Sequence, residues 1–128
     1  PMSKRIPECN DLIDKLRAKL ERKSFETGML FYKTMDYKAA IITLRNTLHD
    51  YPLTEYKEEI LFTILKANFL LAENSVESKK AERYKSTLEA YSNFIDKFAA
   101  GRYGREAESI HNKAKSRYQT LKPNTESF

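Results

Sequence analysis

Apolar positions recur along this chain at steps of three and four, the spacing of one helix face and not of a strand. A first helical pattern covers residues 8–34. Ile13, Leu16 and Leu20 mark its stripe, and Phe25, Gly28, Phe31 and Tyr32 continue it. Pro7 suits the first turn, where its missing N–H costs nothing. A second pattern covers 37–50, with Tyr37, Ala40, Ile41, Leu44 and Leu48 on one side. Pro52 ends it by disfavouring a helical Tyr51. A third covers 55–73, with Thr54 as N-cap and one polar residue, Asn68, among apolar ones. A fourth covers 77–98 through Tyr84, Leu88, Tyr91, Ile95 and Phe98, and Gly101 is the expected closing residue. A fifth covers 103–121, with Ala107, Ile110, Ala114 and Tyr118 inward. The tail 122–128 is polar and is expected to fray. No segment alternates like a strand, so the expectation is an all-α domain of roughly 80% helix, far above the ordinary share.

The patterns repeat. Ala40, Leu44, Leu48 and Tyr51-Pro52 recur in spacing as Ala90, Phe94, Phe98 and Gly101-Arg102. This resembles the tetratricopeptide pattern: a small residue in the first helix, an alanine early in the second, a large apolar residue four later, and a proline at the turn out. Gly28, Ala40, Leu44 and Pro52 fill those places, and Tyr37 fills the aromatic position opening the second helix. Tyr32 and Leu48 extend the same packing surface. A small residue lets the paired helix approach, and large ones fill the groove. The expected fold is a superhelix of αα-hairpins within residues 1–128. Hairpin 1 spans about 8–50, hairpin 2 about 55–100, and a terminal helix follows. In hairpin 2, Ala67 takes the small position and Ala90, Phe94 and Phe98 the later ones. Hairpin 2 has about a dozen more residues between its matched positions than hairpin 1, and the excess is placed at 75–83, read as a charged extension of the helix tips. Pro1-Met2-Ser3 parallels Pro52-Leu53-Thr54, so the chain reads as starting where an earlier repeat closes.

Composition narrows the function classes. The chain has 128 residues, three glycines, four prolines and one cysteine, and a net charge of +5. That is one domain's length. The lone Cys9 excludes an internal disulfide. Lysines mostly alternate with glutamates along solvated faces, so nucleic acid is not an expected partner. His49 and His111 lack a second ligand at helical spacing, Glu58 and Glu59 are neighbours and not a facing acid/base pair, and Cys9 has no histidine near it in sequence. The expectation is a non-enzyme with no catalytic, metal or cofactor-binding residues. The basic residues are unevenly placed. Six lie between Arg102 and Lys122 against two acidic ones, Glu106 and Glu108. With 103–121 as a terminal helix, Arg105, Lys113 and Arg117 are left for its exposed sides, and Lys79, Lys80 and Arg83 lie in the insertion. These six are the candidate partner-binding residues.

One ordered series is more specific than any single motif: Leu16-Arg17-Ala18-Lys19-Leu20-Glu21-Arg22-Lys23, Gly28-Met29-Leu30-Phe31-Tyr32, Tyr37-Lys38-Ala39-Ala40 and Asp50-Tyr51-Pro52-Leu53-Thr54. Over residues 1–75 it resembles the D subunits of the bacterial outer-membrane β-barrel assembly machinery, the BamD-like periplasmic lipoproteins. The resemblance implies the C-terminal half of a five-repeat scaffold at the periplasmic face of the outer membrane. It also implies docking to the barrel subunit and accessory lipoproteins, and membrane attachment only through a lipid anchor outside this chain. Cys9 follows no apolar leader and is not the lipidated residue. Thr43 stands where family members can carry an arginine that contacts the barrel subunit, so that ion pair does not carry over. The rival reading is a stand-alone peptide-binding or chaperone-adaptor module, for which Lys33, Lys66 and Asn68 would supply a carboxylate clamp.

Overall fold

The computed structural model describes the backbone of residues 2–121 and the side chains of residues 9–121. Five α-helices follow one another: α1 (Met2–Lys33), α2 (Tyr37–Asp50), α3 (Lys57–Glu73), α4 (Glu77–Phe98) and α5 (Gly104–Leu121). Helix accounts for 85% of the structure, and no strand occurs among the described residues. The expected 122–128 tail lies outside the described residues. Each helix packs on its neighbour in sequence, and α3 also meets α1 and α5. The chain is therefore two antiparallel hairpins stacked side by side, closed by α5. One apolar cluster runs through them from Ile41 and Leu44, through Ile60, Phe62, Ile64, Leu65 and Ala67, to Ala90, Phe94, Ala107 and Ile110, and a smaller one joins Ala72, Tyr84 and Ala114.

The turn between α1 and α2 is a Schellman closure. The Asp36 amide donates to the Phe31 carbonyl (2.9 Å) and the Met35 amide to the Tyr32 carbonyl (3.1 Å). Met35 holds the left-handed position at φ 65, where glycine is the usual occupant and another residue costs about 1–2 kcal/mol. The Asp36 carboxylate then caps α2 by accepting from the Ala39 amide (3.3 Å). At the far end, Tyr51 leaves the helix with φ −130 and ψ 69, in line with the bias of a residue before proline away from the helical region.

Several sequence expectations are corrected. α1 starts at Met2, so Pro7 lies in its second turn and not its first. Met2 and Ser3 are helical, whereas the parallel with Leu53 and Thr54 places them in a turn between repeats. α3 starts at Lys57 with Tyr56 as N-cap. Thr54 instead accepts from the Tyr56 amide (3.2 Å) and donates to the Glu21 carboxylate (2.5 Å), which ties the turn to α1. Gly101 has no positive φ. A methyl group there would displace the Glu58 carboxylate, the movable end of a flexible side chain on α3, and stand 3.2 Å from the Phe98 carbonyl. The 75–83 segment is mostly added length on α4, whose 22 residues exceed the 14 of α2.

Candidate docking surfaces

The residues singled out for repeat packing occupy the joints between helices. A Cβ built on Gly28 would stand 2.5 Å from Leu44 Cδ2 and 2.7 Å from its Cγ, so the Leu44 side chain of α2 lies directly on the backbone of α1 at this point. Four residues earlier on α1, Ser24 and Thr47 share a hydrogen bond of 2.5 Å. Thr47 gives its own proton to the Thr43 carbonyl (2.9 Å), which makes Ser24 the donor. Tyr32 and Tyr37 meet edge to face at 5.8 Å across the first turn. Ala40, Leu44, Ala67 and Phe94 are fully buried, Ala90 nearly so, and Leu48 and Phe98 pack against the same cluster. Pro52 differs: it is exposed and fills no gap between helices, acting only on the backbone of its turn. Arg17 braces that turn, donating to the Asp50 carbonyl (3.0 Å) with its guanidinium 5.0 Å from the centre of the Tyr51 ring.

Of the six candidate partner-binding cations, four are exposed, and three of these make no ion pair among the described residues. Arg105, Lys113 and Lys79 are exposed. Arg117 is not spare: its guanidinium pairs with Glu73 at 3.1 Å and covers the Phe69 ring. The other Glu73 oxygen accepts from the Tyr84 hydroxyl (2.6 Å). Burial, and then this bond to a carboxylate, push the Tyr84 phenol up to about 12. Arg83 donates to the Ser75 hydroxyl (2.5 Å) and fixes the start of the α4 extension. Lys80 is half-buried beside Glu77 and Arg117 in a shallow cavity next to Tyr84. The predicted insertion surface thus divides into an internal brace and one exposed lysine.

The clamp residues of the rival reading do not come together as free groups. Asn68 is buried and its amide donates to the Ile64 carbonyl (2.8 Å). Lys66 pairs with Glu106 at 2.9 Å. Burial opposes its charge, but the Glu106 carboxylate and the Tyr32 hydroxyl hold its pKa above the usual value. Lys33 is exposed at the end of α1, beside an open groove that Met29 and Glu59 also line. Searches of the models of known protein families and of curated proteins give no match.

The titratable group that sequence reasoning undervalued is His111. Its ring stacks on Tyr91 at 4.1 Å, and Nδ1 is buried with no hydrogen-bond partner among the described residues. Burial first, and then the nearby Lys115, lower its pKa against the weaker opposite pull of Glu108. A lowered histidine binds its proton less readily folded than unfolded. Its contribution is complete above the unfolded value of about 6.5 and is lost as pH falls through the folded one. Thermal melts at pH 7.5 and 5.0 should show a smaller acid-induced loss of Tm for His111→Phe, which keeps the stack, than for the parent chain. Equal losses would remove His111 from the pH response. Only a lone histidine on the inner flank of α5 hinted at this in the sequence.

Proposed function

We propose that this chain is a non-catalytic scaffold of the outer-membrane β-barrel assembly machinery, acting as a BamD-like, tetratricopeptide-type module at the periplasmic face of the outer membrane. Its partners on this reading are the barrel subunit and accessory lipoproteins. The observation that supports docking best is the exposed basic side of α5. α5 buries Ala107, Ile110 and Ala114 against the preceding helices, while Arg105 and Lys113 project from a rod held rigid by the core. Basic groups on a rigid support raise the association rate with an acidic surface more than they raise affinity. The engagement of Lys66 with Glu106 and the burial of Asn68 favour this scaffold over a carboxylate-clamp adaptor.

The test uses the barrel subunit's periplasmic domains as ligand. Arg105→Glu with Lys113→Glu should slow association roughly tenfold at low salt, with the deficit shrinking as salt rises, because such fields are screened within about 8 Å at physiological ionic strength. Arg117 is left intact because it holds Glu73. Wild-type rates for the double variant would remove α5 as the docking side.

A further inference from the structure

A valley runs between the two hairpins. α2 and α4 both pack on α3 but not on each other, so α3 is the floor between them. A slot of about 160 Å³ opens there. Leu61 and Ile64 come from the floor, Leu48 from the α2 wall and Ala90 from the α4 wall. Arg45, Glu89 and Asn93 stand exposed at the rim. Pockets for small-molecule ligands run to about 300–1,000 Å³, so this slot has room for one apolar side chain and not for a cofactor. A further hairpin stacked before α1 or after α5 would lie outside the valley, because α2 and α4 themselves bound it.

Two lysines stand at one end of it. Lys57 lies one turn before Leu61 on α3, and Lys97 one turn after Asn93 on α4, each on the face that lines the slot. Lys57 Nζ donates to the Pro52 carbonyl (3.2 Å), which fixes it at that end. The Lys97 ammonium is within hydrogen-bonding reach of it, and its like charge holds the Lys57 pKa below the usual value. Neither lysine pairs with a carboxylate among the described residues. A carboxylate placed between them would replace their repulsion with two charge-assisted hydrogen bonds. Slot and lysine pair are about 6 Å apart along the helices, four residues' rise, which is also the spacing of side chains one turn apart on any helix. We propose that this valley seats a helix of a partner protein, with an apolar side chain in the slot and a carboxylate, one turn away, between Lys57 and Lys97. The site shares no residue with the basic side of α5, so either can fail alone.

The test uses three synthetic helices on one host rich in alanine and glutamine. The first has a central Leu with Glu four residues to either side. The second has Lys in place of each Glu, and the third has Ala in place of the Leu. Binding to the full chain is followed by amide chemical shifts in NMR spectra at low salt. The first helix should shift Leu48, Leu61 and Asn93 together with Lys57 and Lys97, and bind about tenfold more tightly than either of the others. Lys97→Glu should remove its advantage over the Lys-bearing helix, and Asn93→Trp, which plugs the slot, its advantage over the Ala-bearing one. Both positions are exposed, so Tm should not fall. Lys57→Gln repeats the charge test from α3. No binding by the first helix, equal binding of the first and either control, or shifts confined to α1 or α5 would overturn the proposal. So would inorganic phosphate shifting Lys57 and Lys97 while the Leu adds nothing, which makes this an anion site only. A dimer by light scattering that Asn93→Trp dissolves would equally overturn it in favour of a second copy.

Discussion

Phe94→Ala is expected to cost about 3–5 kcal/mol, the range for emptying a fully buried aromatic site. Phe94 is 0% exposed. Its ring centre lies 5.8 Å from that of Phe62 on α3 and 5.9 Å from that of Phe98 on α4. Phe62 is itself stacked on Tyr103, just before α5, at 4.3 Å. A hole at Phe94 would remove its ring contacts with α3 and within α4, and Phe62 cannot move in without leaving its stack on Tyr103. Domains of this size have about 5–15 kcal/mol in total, so the variant should lose a large share of its stability. Urea titration should show a much lower midpoint with an unchanged slope. A loss under about 1 kcal/mol would mean that the helices close around the vacancy, contrary to the packing seen here.

Gly28→Leu should destabilise by about 1–3 kcal/mol through overpacking. The clash begins with the first carbon, since even a methyl group would meet Leu44 at 2.5 Å. Gly28→Ala is therefore the sharper experiment. An alanine in a helix interior is favoured over glycine by about 1 kcal/mol, so a net loss of stability would show steric overlap outweighing propensity. Adding Leu44→Ala should recover part of the Gly28→Leu loss, giving a coupling energy between positions in contact. Stabilisation by Gly28→Ala would instead mean that α1 and α2 have room to spare.

What was legible in the sequence follows from what is local. The bounds of α2 and α4 agree with the apolar periodicity, because α2 is closed by Pro52 and the turn at 74–76 separates α4 from α3. The pairing of Gly28 with Leu44 was also visible, since a small residue facing a large one is a pattern within a single hairpin. Features set by distant partners were not. Arg117 reads as a free cation until α5 is laid beside α3 and Glu73 comes within 3.1 Å. Thr54 reads as a cap, but its hydroxyl serves a carboxylate 33 residues earlier. The left-handed turn residue is Met35 and not a glycine, and no composition rule flags a methionine there. The stripe from Leu12 to Leu20, exposed in the structure, shows the limit most plainly. Periodicity identifies an apolar face, but only the neighbouring helices decide whether it is buried.

Glu73 divides its two oxygens between Tyr84 on α4 and Arg117 on α5. Eleven residues earlier on α3, Phe62 holds Tyr103 at the other end of α5. The terminal helix is thus clamped at two points about 16 Å apart along α3. A rod fixed at one point can swivel, whereas one fixed at two transmits torque. A pull on the exposed side of α5 would accordingly be passed to α3 at both points and not be taken up by the peeling of α5 alone.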